Sequence, residues 1–303
     1  MNQSLQDSIR NDIVALTPTE VSGYVLRSEH IAALQAAWFA RRPLLVRGEP
    51  GLGKTRLADA IANLLGFGLV KSVVQYNSSI EDLLYSIDYM ERLHLANSPG
   101  ISKEELKIER HIRPGKIWQA MAPGTLSKFN MERPHDKRGT VLLIDEIDKA
   151  DPSLPNALLE VLDEKKITLS YMMEQVKKEE DHALLTIITS NDERMLPKAF
   201  LRRCAVLELR LGLGKEGVEQ LFEIYKAHKV HEPEDFDRLT EENVCHVADK
   251  IIEMRNNNVH VDYHSGTSEF LDILRVLNNF DDHSRNYWLE NWFDLFAAKS
   301  KGV

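Results

Sequence analysis

The sequence has few cysteines and no long apolar run, and these absences exclude several classes of protein. Only Cys204 and Cys245 occur among the 303 residues, which excludes a disulfide-stapled secreted fold. No window approaches the roughly 18 consecutive apolar residues of a membrane span. The first residues, MNQSLQDSIRNDIV, lack the basic and then apolar pattern of a signal peptide. We therefore expect a cytoplasmic protein with no membrane segment.

Positive charge is scarce in the last third of the chain. From residue 211 to the end, 10 Lys and Arg stand against 18 Asp and Glu, so this part carries nearly all of the net charge of −9. An acidic surface repels a phosphate backbone, and a nucleic-acid partner is therefore not expected. A small basic cluster at Arg133, Lys137 and Arg138 is more typical of a solvated turn than of a nucleic-acid contact.

The most informative stretch present is GEPGLGKT, residues 48–55, which follows the short apolar run Pro43–Val46 and precedes residues with helical apolar spacing. Strand, glycine loop and helix is the order that a phosphate-binding loop requires. A second GLGK at residues 212–215 has Glu216 where Ser or Thr should stand and is not expected to bind phosphate. The residues predicted to contact a nucleotide are Gly48, Glu49, Pro50, Gly51, Leu52, Gly53, Lys54, Thr55 and Arg56.

Two carboxylates follow a second predicted strand, Thr140–Ile144. Because ligands bind at the carboxyl ends of strands in an open α/β sheet, we expect Asp145 and Glu146 to lie near the phosphate loop. Asp145 and Thr55 are the predicted ligands of Mg²⁺, and Glu146 is predicted to orient or deprotonate the attacking water. Alone, this pair would be equally consistent with a solvated acidic turn.

A third predicted strand, Leu184–Thr189, leads to Asn191, whose neutral amide could hold the attacking water. An ordinary turn-forming Asn is the alternative. Arg202 and Arg203 come next, before a predicted strand at Ala205–Leu209. A guanidinium there could reach the γ-phosphate of a neighbouring subunit, and a solvated basic helix end is the alternative.

Several motifs in order resemble the MoxR family of AAA+ ATPases. GEPGLGKT, LLIDEID and TSNDER are shared with other P-loop proteins, whereas LPKAFLRRC and GTSEFLDIL make the resemblance specific. The resemblance extends over roughly residues 22–280. It implies a doubly wound parallel α/β sheet with a P-loop AAA+ core and a smaller C-terminal α-helical lid.

The resemblance also implies roles for the candidate residues and a set of partners. Lys54 and Thr55 correspond to Walker A, Asp145 and Glu146 to Walker B, and Asn191 to sensor 1. Arg203 corresponds to the arginine finger, with Arg202 as the second candidate. The implied cofactors are ATP and Mg²⁺. The implied partners are other copies in a ring, expected to be a hexamer, and a protein client, which in this family is often a von Willebrand factor A domain protein.

One position departs from the family pattern. The start of the lid helix, Thr267 to Phe270, has no sensor 2 arginine, and Arg275 lies two turns further along. Two alternatives to a ring that remodels proteins therefore stay open. One is a nucleic-acid motor, against which the acidic charge argues, and the other is a slow ATP-dependent switch or scaffold in a defence or stress complex.

The predicted organisation has three parts: a polar helical leader over residues 1–20, an α/β ATPase core over 21–210 with an insert around 101–122, and a helical lid over 211–303. Within the insert, Arg113–Trp118 is a candidate contact hairpin, although Trp118 is more typical of a core residue. The aromatic stripe near the C-terminus is predicted to pack on the lid, with a docking face as the alternative. Its members are Tyr287, Trp288, Trp292, Phe293 and Phe296.

Overall fold

The structure is a computed structural model that describes residues 3–135, 137–169, 171, 174–257, 265–293 and 295. Contacts divide the chain into two compact units. The first comprises residues 1–16, 32–46 and 61–207, and the second comprises residues 17–31, 47–60 and 208–303. The predicted division into a leader, a core and a lid stays a prediction.

Helices dominate the described residues, and the C-terminal part is helical as predicted. The α-helices are α1 (Gln3–Val14), α2 (Ser28–Ala40), α3 (Lys54–Leu65), α4 (Ile80–Leu84), α5 (Tyr89–Ala96), α6 (Lys116–Met121), α7 (Ser153–Glu164), α8 (Lys198–Leu201), α9 (Gly214–His231), α10 (Glu241–Asn257), α11 (Thr267–Asn278) and α12 (Asp282–Asn291). Within the described residues, no helix is long and apolar enough to cross a membrane.

The strands form one central sheet and three two-stranded ribbons. They are β1 (Thr19–Val21), β2 (Tyr24–Leu26), β3 (Leu44–Arg47), β4 (Gly68–Val73), β5 (Tyr85–Ile87), β6 (Ile112–Pro114), β7 (Gly139–Asp145), β8 (Lys166–Leu169), β9 (Glu174–Lys177), β10 (Ala183–Ser190) and β11 (Ala205–Glu208). The sequence from Lys165 to Glu180 predicts a hairpin, and the antiparallel pairing of β8 with β9 confirms it.

The central sheet is parallel, with the strand order β11-β3-β10-β7-β4. Ile188 of β10 pairs with Ile144 of β7, and Val73 of β4 pairs with Asp145. Strand β7 is buried along its length except at Asp145, as expected for a parallel strand covered on both faces. The predicted parallel α/β fold is confirmed, and the polar residues after β7 and β10 follow the carboxyl ends of neighbouring strands.

The apolar spacing from Leu83 to Leu95 predicts one continuous amphipathic helix, and this prediction is wrong. Helix α4 ends at Leu84, β5 follows, and Asp88 caps α5 by accepting a hydrogen bond from the Glu91 backbone N–H at 2.8 Å. Strand β5 pairs with β6, a segment far along the chain. Long-range backbone pairing therefore overrides the local helical spacing.

Trp118 of the predicted insert is a core residue of the first unit. Its side chain is fully buried, and its indole N–H donates to Thr125 Oγ1 at 2.7 Å. The Phe129 ring meets it edge to face with the centroids 4.9 Å apart. The tryptophan of the candidate contact hairpin thus stabilises the fold and is inaccessible to a partner.

The aromatic stripe near the C-terminus divides between packing and exposure. Phe293 is buried, and the Lys250 ammonium lies 4.9 Å from the centre of its ring. Tyr287 and Trp292 are exposed, at 58% and 48%. Phe296 lies outside the described residues. The predicted packing therefore holds for Phe293, whereas the rings of Tyr287 and Trp292 are exposed to solvent.

Candidate functional site

The glycines of GEPGLGKT adopt backbone angles that favour glycine. Their φ values are +144° at Gly48, +79° at Gly51 and +81° at Gly53. A Cβ added at Gly48 would lie 2.4 Å from the carbonyl oxygen of Leu209, so the loop also needs glycine for close packing. The loop follows β3 directly and ends where α3 begins at Lys54. The strand, loop and helix order predicted from the sequence is present.

Lys54 is buried at the start of α3, with 6% of its surface exposed. Its Nζ donates to the carbonyl oxygens of Gly48 and Glu49, both at 2.7 Å. This ammonium and the N-terminus of a twelve-residue helix place positive charge at the loop, as an anion site requires. Thr55 is half-buried, and the exposed Arg56 donates to the Ser22 carbonyl oxygen at 3.4 Å.

The remaining predicted loop residues differ in burial, and one of them pairs with a distant arginine. Leu52 is buried and Pro50 is exposed. Glu49 points its carboxylate at a buried arginine from α10, Arg255, whose Nη2 donates to Glu49 Oε2 at 2.7 Å. Sequence reasoning missed Arg255, because it lies far along the chain in no recognisable motif.

The start of α11 also contacts the loop, within the same unit. The Ser268 backbone N–H donates to the Gly51 carbonyl oxygen at 3.2 Å, and the Thr267 hydroxyl donates to the same oxygen. The segment predicted to lack a sensor 2 arginine is therefore bonded to the loop without one. Arg275 instead pairs with Glu232 and Asp235, both at 2.9 Å.

In the first unit, Asp145 and Glu146 are joined through Thr189, the penultimate residue of β10. The Thr189 hydroxyl donates to Asp145 Oδ1 and accepts from the Glu146 backbone N–H at 2.9 Å. This fixes the end of β7 against the end of β10. Thr189 was predicted only as a strand residue, and its hydroxyl at the strand end is the signal that could have identified it.

Glu146 has a left-handed backbone, with φ +60°. Such a conformation is uncommon outside glycine, and it is enriched at turns and functional sites. Lys149 Nζ donates to Glu146 Oε2 at 2.7 Å, and Asn191 Nδ2 lies 3.4 Å from Oε1. The hydrogen bond to Glu146 raises the pKa of Lys149. The structure therefore brings Glu146 and Asn191 together, as the sequence predicts.

Asp148 organises the turn that carries Asn191. Its carboxylate is buried and accepts the backbone N–H groups of Asn191 at 3.2 Å and Glu193 at 3.0 Å. Asp148 is not among the candidate residues named from the sequence. In the structure it couples the residues after β7 to those after β10.

The two candidate finger residues lie just after α8, and both are exposed. Arg203 Nη1 lies 3.9 Å from Asp163 Oδ2, with both side chains more than half exposed. Such a pair is weak, so the guanidinium can leave it at little cost. The Arg202 carbonyl oxygen accepts from Arg42 Nη1 at 3.0 Å, which fixes the backbone of the turn.

A family profile describing the AAA domain of the dynein-related subfamily matches residues 43–204, more than half of the chain. The chain belongs to this AAA domain family. The matched range contains the phosphate loop, the carboxylates after β7, Asn191 and both candidate finger arginines. Arg255 and α11 lie beyond it.

Curated relatives of this AAA domain include chaperones and a protease. The chain is 26% identical to the chaperone protein ClpB of Malacoplasma penetrans (strain HF-2), over 84% of this chain and 31% of the relative. It is 26% identical to the Lon protease of Mycoplasma mobile (strain ATCC 43663 / 163K / NCTC 11711), over 80% of this chain and 29% of the relative. The chain thus spans about a third of the length of the relatives it matches.

Among solved structures, the AAA domain is similar to a predicted ATPase from Cytophaga hutchinsonii ATCC 33406. The sequences are 14% identical, and the match covers 91% of this chain and 78% of the other with a TM-score of 0.38.

Proposed function

We propose that this AAA domain is a MoxR-type ATPase that hydrolyses ATP and uses the released free energy to remodel a partner protein. The observation that carries the proposal is the glycine loop around Lys54, together with the Asp145, Glu146 and Asn191 cluster. The loop follows strand β3, and the cluster follows β7 and β10 of the same sheet. Hydrolysis of ATP needs groups that bind the phosphates and a carboxylate that orients or deprotonates the attacking water.

The loop combines glycines at positive φ, the buried Lys54 ammonium and the N-terminus of α3, and these groups suit a polyphosphate. A Cβ at Gly48 would lie 2.4 Å from the Leu209 carbonyl oxygen, so the protein's own packing excludes a side chain there. We assign Gly48 to Thr55 to the phosphates of ATP, with Lys54 as their charge partner. Thr55 and Asp145 are the residues that would hold Mg²⁺, which neutralises phosphate charge when bound.

Glu146 and Asn191 are assigned to the attacking water. The carboxylate of Glu146 would accept a proton from that water, and the neutral amide of Asn191 would hold either the water or the carboxylate in place. Lys149 competes for the same carboxylate through its 2.7 Å bond. Release of Lys149 would therefore leave Glu146 free to act as a base.

We propose a ring, hexameric by its MoxR resemblance and cytoplasmic as the sequence suggests, with Arg203 or Arg202 acting on a neighbour's ATP. Their exposure at the surface of the first unit supports this assignment. The client is proposed to be a protein, for which a von Willebrand factor A domain protein is the leading candidate. Similarity to a ClpB chaperone and a Lon protease favours a protein client in general.

Glu146→Gln is expected to retain the client. A ring that binds ATP without hydrolysing it cannot complete the cycle that releases its partner. In a pull-down with ATP, the Glu146→Gln chain should recover a protein that the Lys54→Ala chain does not, because the latter cannot reach the ATP state. Equal recovery by both variants would argue against an ATP-dependent client.

A nucleic-acid motor is the alternative whose response to DNA or RNA would differ most from that of a protein-remodelling ATPase. Because residues 211–303 are acidic, binding DNA or RNA offers little release of counterions. We expect the ATPase rate to stay unchanged when DNA or RNA is added at moderate salt. Stimulation of the rate, together with DNA binding that weakens steeply as salt rises, would favour the motor instead.

A further inference from the structure

Arg255 connects the phosphate loop to the C-terminal helices, defined as α9 to α12. Its side chain is buried, with 8% exposed. Nη2 donates to Glu49 Oε2 at 2.7 Å, and Nη1 donates to the Ser265 carbonyl oxygen at 2.8 Å. Glu49 is the second residue of the loop, and Ser265 stands just before α11. One guanidinium therefore bridges the loop and the entry to α11.

A second connection runs between the same two segments. The Ser268 N–H and the Thr267 hydroxyl both donate to the Gly51 carbonyl oxygen. The buried Glu269 keeps this helix start in place by accepting the Gly266 N–H at 2.9 Å. The C-terminal helices thus hold the loop at two residues, Glu49 and Gly51.

These contacts involve groups of the loop other than the N–H groups that bind phosphate. Each residue of the loop has one backbone carbonyl acceptor, and each except Pro50 also has one backbone N–H donor. The C-terminal helices use the carbonyl oxygen of Gly51 and the side chain of Glu49, whereas a phosphate would use N–H groups. Contact with the helices and binding of phosphate therefore draw on different groups of the same short loop.

Burying an arginine is unfavourable, because the guanidinium loses its hydration. An ion pair offsets this loss only when its hydrogen bonds are well formed. In the part of the chain that the structure describes, Arg255 Nε has no hydrogen-bond partner. An apolar residue would pack there without this cost, but it could not bridge two acceptors with a planar fork.

We propose that Arg255 is a positioning residue for ATP binding, which holds Glu49 so that the phosphate loop and the C-terminal helices respond to nucleotide together. The proposal rests on the proposed function and deepens it. Coupling between sites is reciprocal. If the helices set the loop in its receptive geometry, nucleotide in the loop must stabilise the helices by the same factor. No arginine at the start of α11 is then needed.

Glu49→Ala tests this proposal, because it removes the link and leaves Arg255 bonded to Ser265. We expect the Kd for ADP to rise by about tenfold, within the range typical of coupled sites. In wild type, ADP should slow amide hydrogen exchange in the loop and in α10 and α11. In Glu49→Ala, saturating ADP should still slow exchange in the loop, but it should slow exchange in α10 and α11 less than in wild type, because only the bonds to Gly51 remain.

Arg275→Ala is the matched control. This arginine also sits in an ion-pair network of the C-terminal helices, but it pairs with Glu232 and Asp235 and does not touch the loop. We expect faster exchange near α11 with an unchanged Kd. Arg255→Lys, which keeps the charge without the fork, should fall between wild type and Glu49→Ala in both measurements.

The outcomes separate the two proposals. If wild type binds ADP and Glu49→Ala keeps both the wild-type Kd and the response of α10 and α11, Arg255 has a purely structural role and the inference is overturned. If wild type binds neither ADP nor ATP, the proposed function fails and the inference fails with it.

Discussion

Lys54→Ala lowers ATP affinity by about a hundredfold, whereas Glu146→Gln preserves ATP binding and loses turnover: this contrast is the expected result of measuring the two activities separately. Lys54 supplies the buried ammonium at the start of α3. A hydrogen bond to a charged group contributes up to about 3 kcal/mol, so its loss should weaken binding by about a hundredfold. Nucleotide affinity and steady-state phosphate release are the two measurements.

Glutamine keeps the shape of Glu146 and can still meet Lys149 and Asn191, but it cannot accept a proton from water. General-base catalysis contributes roughly 10² to 10⁴ in rate, and turnover should fall by that factor. Normal hydrolysis by Glu146→Gln would remove Glu146 from the role assigned to it.

Two matched controls accompany this pair. Lys215→Ala alters the exposed lysine of the second GLGK, at the start of α9, and should leave ATP binding intact. Glu193→Gln neutralises an exposed carboxylate that follows β10 and should leave turnover intact. If Lys215→Ala weakened ATP binding as much as Lys54→Ala, the result would contradict the assignment of GEPGLGKT as the phosphate-binding loop.

The central sheet was predictable because its signals are local. Buried parallel strands appear as continuous apolar runs, and Thr140–Ile144 and Leu184–Thr189 both lie within strands of the structure. The turn of the phosphate loop was also predictable, because its glycines are the residues that adopt positive φ without steric cost, and the structure has positive φ at Gly48, Gly51 and Gly53. Where a residue's role depends on its immediate neighbours, the sequence is a sufficient guide.

The interactions that fix the candidate site depend on distant partners. Thr189 contacts Asp145 and Arg255 contacts Glu49 across large separations in the chain, and neither contact has a spacing to recognise. Strand β5 was missed for the same reason, because its partner β6 lies beyond a helix. Hydroxyls at strand ends and arginines on apolar helix faces are the features to examine for such links.

Arg203→Ala is expected to nearly silence ATP turnover while leaving ATP binding intact. An arginine finger contributes roughly 10³ to 10⁵ in rate in phosphoryl transfer, because its charge acts on the transition state. Arg203 is exposed and lies 3.9 Å from the exposed carboxylate of Asp163, a weak contact that leaves the guanidinium accessible to a neighbouring subunit. Arg210→Ala is the control, since Arg210 is also an exposed arginine and pairs at 2.7 Å with Glu208.

Mixing variants determines whether the finger acts between subunits. Arg203→Ala chains keep an intact phosphate loop, and Lys54→Ala chains keep an intact finger. If catalysis is shared, rings assembled from both should recover part of the activity, because some interfaces pair a sound loop with a sound finger. The measurement is the ATPase rate across mixing ratios, with capture through a tag on one variant to establish that mixed rings form. Mixed rings that stay inactive at every ratio, or an Arg203→Ala chain with normal turnover, would transfer the role to Arg202 or favour the slow switch, whose hydrolysis needs no neighbour.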